Sequence, residues 1–229
     1  MATVQQQVPP TASTRRVDAS RLSGVAFLVL FVAGFVMLVT GPNIYEGGTI
    51  EEYGAAFADG GREAAVTIAA FFVLPLAGAC LLWAVAHVSR CMDRAVDGPS
   101  LGGRVATLGA AVMAAGMTVA GAATAAARHL ASGVSDGFPA DPATGYGLDM
   151  LGSQVINISL WGGSLVLVAI GIGARRTGLL PGWLLWTGIV VAPLLPSAFF
   201  FGMIPLLVFL LWVAVVAAMM RPGPVGSRP

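Results

Sequence analysis

The sequence predicts an all-α fold, a polytopic transmembrane helical bundle with six spans and both termini in the cytoplasm. Of its 229 residues, 57% are hydrophobic and only 10% are charged, whereas a soluble domain carries about 25% charge. The charged residues are confined to short segments between long uncharged runs. This composition excludes a disordered protein and a disulfide-stabilised secreted module, and it argues against nucleic-acid binding.

Five uncharged runs define the spans, because a hydrocarbon core of about 30 Å needs roughly 20 apolar residues as a helix. Four runs supply one span each. The fifth, residues 177–220, is too long for one crossing and carries Pro196, Gly202 and Pro205 near its middle, where a turn would divide it. One helix there, giving five spans, is the weaker alternative, and a re-entrant segment is left open. The predicted transmembrane domain covers residues 21–220, with spans near residues 22–40, 64–88, 105–127, 151–174, 180–198 and 201–220.

Arginine sets the predicted orientation. All twelve basic residues are arginine, and a cytoplasmic N-terminus puts ten of them inside and only Arg62 and Arg128 outside. Most of the acidic residues fall outside. The abundance of Arg, Ala, Gly and Pro is typical of a GC-rich bacterial genome, so we expect a multi-pass protein of the bacterial cell (inner) membrane. Residues 1–20 and 221–229 are expected to be disordered cytoplasmic ends.

Two outer loops are predicted: the first connects spans one and two, and the second connects spans three and four. In the first, Thr49 and Glu52 match a capping box, which predicts a short helix with one apolar face: Ile50, Tyr53 and Phe57. We expect this helix to lie at the membrane interface as a connection; a cap over an outer cavity is the alternative. The second loop, residues 128–149, is rich in Gly, Pro, Asp and Ser and has no calcium-loop spacing.

The ionisable residues argue against chemistry inside the membrane. None of them falls within a predicted apolar core, where an arginine or aspartate would cost at least ~2.5 kcal/mol and would signal function. His87 and His129 are predicted at opposite ends, so they cannot share a metal or haem. Cys80 and Cys91 are expected to be reduced. The sequence therefore predicts no enzyme, no catalytic residue, no metal site and no cofactor.

Small residues on the third span predict close helix packing on both of its sides, which would put this helix at the centre of the bundle. They are Ala106, Ala110, Ala114, Gly116, Ala120 and Thr124.

A polar lane follows the fourth span, within about 100° of arc at helical spacing. Its members are Ser153, Gln154, Asn157, Trp161 and Ser164. One interpretation is hydrogen bonding between helices. The other is the wall of an outward-facing cavity, which makes Gln154, Asn157, Trp161 and Ser164 the candidate ligand-binding residues. Pro75 and Pro205 could break their helices beside it, as in transporters.

The segment from Arg175 to Trp186 reads RRTGLLPGWLLW. It resembles a segment of a broad group of uncharacterised bacterial six-helix integral membrane proteins, in which an R-x-G-L-L-P-x-W turn enters the fifth helix and a basic residue, here Arg221, closes the sixth. The resemblance implies six spans and implies no activity, cofactor or catalytic residue.

Two functional hypotheses remain. The first is a non-enzymatic membrane component that acts through a partner, which can be the lipid bilayer, another membrane protein or a second copy of the chain. The second is a small permease or ligand-binding membrane protein that uses the polar lane beneath an acidic outer face, where cations would concentrate.

Overall fold

A computed structural model describes residues 19–39, 49–57, 60–132, 140–197 and 203–220. Across these residues 91% of the chain is helical and no strand occurs, which confirms the all-α prediction. Four helices are long and apolar enough to cross a membrane, and two further apolar helices are shorter. These features are those of a membrane-embedded protein.

The helices follow the predicted runs with different lengths. Their bounds are α1 Ala19–Val39, α2 Ile50–Phe57, α3 Gly60–Ile68, a π-helical turn Ala69–Val73, α4 Leu74–Val96, α5 Leu101–Ser132, α6 Pro142–Thr177, α7 Gly182–Leu194 and α8 Ile204–Met219.

The π-helical turn joins α3 to α4 without a break, so Pro75 does not end the helix. The proline ring clashes with the turn that precedes it in an α-helix. The π turn directly precedes Leu74 and Pro75, and its wider spacing accommodates the ring. The second predicted span is therefore one continuous helical path.

Helices α5 and α6 are longer than the predicted spans, with 32 and 36 residues, or about 48 and 54 Å. The segment predicted as the second outer loop is therefore helical at both ends. At the start of α6 the Asp141 side chain accepts a hydrogen bond from the Thr144 backbone N–H at 3.1 Å, and Pro142 occupies the first helical position. These signals begin the helix well before the apolar run does.

An antiparallel seam joins α5 to α6 along their length. Residues seven apart lie on one face of a helix, and glycines recur at this spacing on α5. A methyl group added at Gly109 would lie 2.5 Å from the Gly162 carbonyl oxygen, so the two backbones are in contact. The paired positions are Gly102 with Ala169 and Gly173, Gly109 with Gly162, Gly116 with Ser159, Thr124 with Gly152, and Ala127 with Gly145.

Five of the six small residues named on α5 are buried and Gly116 is half-buried, but α5 is not enclosed on all sides. Its contacts with α4, such as Ala114 against Gly78, and with α6 occupy one half of its surface. The other half is exposed at Leu108 and Val119. The prediction that this helix is surrounded by others at the bundle centre is therefore wrong, because both rows of small residues fall on the same half of the helix.

Helices α7 and α8 are short, with 13 and 16 residues, or about 20 and 24 Å. The last apolar run therefore forms two helices, and the single-helix alternative is wrong. Helix α7 packs on the C-terminal half of α6, with Leu185 beside Gly171. Helix α8 packs on α1, where a methyl group added at Gly24 would lie 2.9 Å from Ala217 Cβ. The predicted turn between the two helices falls mainly on residues 198–202, outside the described residues.

Candidate functional site

The four candidate residues of the polar lane do not line one site. Gln154 is exposed and Trp161 is 63% exposed, on a stripe of α6 shared with Ile158. Asn157 is half-buried, and Ser164 is buried against α7. The lane is therefore divided between an outward face and an internal helix contact.

Ser164 has a structural hydrogen bond. Its hydroxyl lies 2.6 Å from the Ala192 carbonyl oxygen of α7, to which it donates. In a helix that carbonyl would receive the N–H of the fourth residue along, but this residue is Pro196, which has none. Ser164 thus supplies the missing donor.

Asn157 lies one seven-residue repeat beyond Ser164 on the same side of α6. Helix α7 runs antiparallel to α6, and its residue Ala192 lies beside Ser164. Because α7 ends two residues later, at Leu194, it does not extend as far along α6 as Asn157. Ser153, a further turn along, donates a hydrogen bond to the Asp149 carbonyl at 3.1 Å. The Asn157 side chain therefore lies on the side of α6 that packs against α7, at a position that α7 does not reach.

A buried charged cluster lies where α5, α6, α2 and α1 meet. The Arg128 guanidinium donates to the Leu38 carbonyl at 2.9 Å and lies 3.8 Å from the Asp149 carboxylate. The Tyr53 hydroxyl donates to the same carboxylate at 3.3 Å. Arg128 is only 6% exposed, and a charge buried this far requires such partners. We call Tyr53, Arg128 and Asp149 the outer cluster.

Helix α2, which contributes Tyr53, is capped at its N-terminal end. The predicted capping box is confirmed, with the Thr49 N–H donating to Glu52 at 2.9 Å and the Glu52 N–H donating to the Thr49 hydroxyl at 3.2 Å. Tyr53 points into the bundle with its ring edge-on to Tyr146, 5.9 Å between centroids. Ile50 of the predicted apolar face is exposed, and the Phe57 side chain lies outside the described residues.

Burial of Tyr53 and the nearby Asp149 carboxylate raise the pKa of its phenol far above the usual value. The hydroxyl therefore stays protonated and remains a hydrogen-bond donor at physiological pH. The Tyr53 hydroxyl thereby joins α2 to α6 through its hydrogen bond to Asp149.

Sequence reasoning missed the outer cluster because it treated Arg128 and Asp149 as loop charges. The only available signal was that Arg128 is one of just two arginines predicted outside. Helix α5 continues past Arg128 and α6 begins before Asp149, which turns both residues into helix-borne groups. Nothing in the spacing of the two residues identifies them as partners.

Hydrogen bonds of His87 join three helices at the opposite end of the bundle. The Ser20 hydroxyl lies 2.9 Å from His87 Nδ1, and His87 Nε2 lies 3.2 Å from the Met220 carbonyl. Since a carbonyl only accepts, Nε2 carries the proton, and in the neutral ring Nδ1 accepts from Ser20. His87 thus joins α1, α4 and the end of α8. His129 lies at the far end of α5.

Within the described ranges no three metal-binding side chains come together. Comparison with family models, with curated proteins and with solved structures gives no match. The resemblance of the segment from Arg175 to Trp186 therefore remains a prediction, and the function is inferred from the geometry of this chain alone.

Proposed function

We propose that the chain is a multi-pass protein of the bacterial cell membrane that acts without catalysis, through a protein or lipid partner. In this proposal six apolar helices lie in the membrane and both termini are cytoplasmic. The observation that carries it is the position of Gln154 and Trp161 on the exposed apolar stripe of α6. A polar amide on such a face is available to a partner, since side-chain amides hydrogen-bond across membrane helices.

The polar groups inside the bundle support the same conclusion. Ser164 bonds to a carbonyl of α7, and His87 joins two other helices. In the described part of the chain these groups are occupied in holding helices together. They provide structural contacts rather than a nucleophile with a neighbouring base, which an intramembrane hydrolase would need.

The distribution of exposed arginines supports the orientation. Exposed arginines lie at the end where α1 begins and α8 finishes: Arg90, Arg94, Arg104, Arg175 and Arg176. This end is cytoplasmic by the positive-inside rule. About 31 Å of helix then separates Arg175 from Gln154, so Gln154 lies at the outer boundary of the hydrocarbon core. The excess length of α5 and α6 projects outside and carries the outer cluster.

A small permease is the second candidate, and Asn157 is the observation that favours it. Its amide lies beyond the end of α7 on the side that α7 covers further along α6. Water reaching this position from outside would make Asn157 the lining of an outward-facing cavity.

Photo-crosslinking in intact cells tests the first proposal. A photoreactive residue replaces Gln154 or Trp161, and the matched control replaces Leu108, which is 67% exposed on α5. We expect positions 154 and 161 to give the same discrete adduct and position 108 to give only diffuse lipid adducts. Identical patterns at all three positions would contradict a partner surface on α6.

Thiol labelling separates the two candidates. In a background with Cys80 and Cys91 replaced by alanine, Asn157→Cys is treated with a membrane-impermeant reagent, alongside exposed Thr144→Cys and Ile158→Cys. Labelling of Asn157→Cys at the rate of Thr144→Cys would support the permease. Protection equal to that of Ile158→Cys would support the partner surface.

A further inference from the structure

The corner between α6 and α7 is a fixed structure. The Leu179 N–H bonds the Ala174 carbonyl at 3.1 Å and the Gly178 N–H bonds the Arg175 carbonyl at 3.3 Å. Gly178 adopts a left-handed conformation with φ of 67°, which is the usual C-terminal arrangement of a helix. Leu180 is buried and anchors the chain before Pro181 starts α7. The corner therefore holds its exposed side chains in a defined arrangement.

Two guanidinium groups are available at this corner. Arg175 and Arg176 are both exposed. Across the described residues, the ion pair joins Arg128 to Asp149 at 3.8 Å, at the opposite end of the bundle. The Asp93 carboxylate, at the same end as the corner, accepts hydrogen bonds from the Ser100 backbone and hydroxyl at 2.7 Å. Arg175 and Arg176 therefore face outward, and within the described part of the chain no carboxylate forms an ion pair with either of them.

Two exposed indole rings follow these arginines in the chain, in the first turns of α7. Trp183 and Trp186 are each 61% exposed, and their spacing of three residues puts them on one side of α7. Trp212 behaves differently, because it is buried and donates its N–H to the Leu184 carbonyl at 2.8 Å. Trp183 and Trp186 make no such internal hydrogen bond to the residues that the structure describes. A tryptophan, with an apolar ring and a polar N–H, is suited to the membrane–water boundary.

We propose that this corner, defined by Arg175, Arg176, Trp183 and Trp186, binds the phosphate headgroup of an anionic phospholipid. Guanidinium pairs with phosphate through two parallel hydrogen bonds, and the indoles lie over the glycerol and upper acyl chain of the same lipid. The inference rests on the proposed function, which puts this end at the cytoplasmic membrane surface. It deepens that proposal by naming a lipid class and its binding position.

Quenching by brominated lipids tests the site. The protein carries Trp83→Phe and Trp161→Phe, which remove the other two exposed indoles, and is placed in nanodiscs of phosphatidylcholine with a minor fraction of phosphatidylglycerol. Two samples are compared: in one the phosphatidylglycerol carries bromine near its headgroup, and in the other the phosphatidylcholine does. Each arginine near the membrane surface raises the affinity for an anionic lipid, relative to a neutral one, by about a factor of five. With two arginines at the corner, we therefore expect brominated phosphatidylglycerol to quench about 25-fold more per molecule than brominated phosphatidylcholine.

Two variants with equal charge loss distinguish a site from general attraction. Arg175→Gln with Arg176→Gln should abolish the preference. Arg94→Gln with Arg104→Gln, which removes two exposed arginines of the same end, should retain it. Equal loss in both variants, or equal quenching by both lipids in the parent, would overturn the site.

Two further results distinguish failure of the lipid site from failure of the proposed function. Soluble glycerol phosphate should leave the preference unchanged; displacement by it would overturn the lipid and identify a site for a free phosphate. Absence of quenching by either lipid would refute membrane embedding, and with it the proposed function, whereas equal quenching by both refutes only the headgroup site.

Discussion

Arg128 is 6% exposed, and its guanidinium lies against the Leu38 carbonyl and the Asp149 carboxylate. Removing one partner of a buried pair costs more than the pair itself contributes, because the remaining charge is left buried. The outer cluster is therefore sensitive to substitution of its acidic member.

Asp149→Asn should lower the free energy of unfolding by about 2 kcal/mol, less than for a fully buried pair, because the Asp149 side chain is 23% exposed. The measurement is denaturant unfolding in detergent micelles. Glu51→Gln, an exposed acidic position on α2, is the control and should change little. Equal losses in the two variants would mean that the ion pair contributes nothing specific.

Ser164→Ala should destabilise the protein by about 1 kcal/mol, because it leaves the Ala192 carbonyl without a donor. Thr187→Ala is the control, since the Thr187 hydroxyl bonds only within its own helix to Trp183 at 2.8 Å. Adding Pro196→Ala to Ser164→Ala restores a backbone N–H and should recover part of the loss. A double variant that loses the sum of both effects would contradict this account.

Tyr53 predicts a pH dependence. Its phenol has a pKa raised above the usual value of 10.0 by burial and by Asp149, so the unfolded chain ionises first as pH rises. The stability that this group contributes is present below about pH 10 and is lost above it. Unfolding measured from pH 8 to pH 11 should show a steeper decline for the parent than for Tyr53→Phe. Tyr146→Phe, on the neighbouring ring, should follow the parent.

At the scale of helices, the seam between α5 and α6 depends on backbone contact. Gly109→Ala puts a methyl group 2.5 Å from the Gly162 carbonyl oxygen and should cost about 1–3 kcal/mol. Gly147→Ala meets no atom within 4 Å and should be neutral or stabilising by up to about 1 kcal/mol, since alanine favours helix. Thermal unfolding in micelles compares the two, and equal behaviour would argue against the tight seam.

The sequence predicts the existence and type of the helices well because long apolar runs leave a backbone few alternatives. It predicts their ends poorly. Helix α5 extends to Ser132 and α6 begins at Pro142, since helix formation does not stop where apolar residues stop. Small residues on α5 indicate close packing, but glycine spacing alone does not identify α6 as the partner.

At the scale of the whole molecule, the contacts of His87 with Ser20 and Met220 bring both ends of the described chain to one end of the bundle. The candidate site shows the limit of sequence reasoning at this scale. Tyr53 and Asp149 are far apart in the chain and meet only because α2 lies across the start of α6, where Gly54 faces Pro142. Local patterns carry no information about such long-range contacts.

The proposed topology predicts a labelling pattern in intact cells. In the background without native cysteines, Ala55→Cys and Ala143→Cys, both exposed on the outer side, should react with an impermeant thiol reagent. Gly98→Cys, where an added side chain meets nothing within 4 Å, should react only after permeabilisation. The reverse pattern would invert the orientation.

The contact of Gly24 with Ala217 has a consequence for biogenesis. Gly24 leaves the ribosome well before Ala217, yet the two residues are in contact in the folded bundle. During synthesis α1 must wait in the bilayer or beside an insertase with this flank unpaired, until α8 arrives. A chain that stops before α8 would leave the flank open, which gives a quality-control protease a means of recognising an unfinished product.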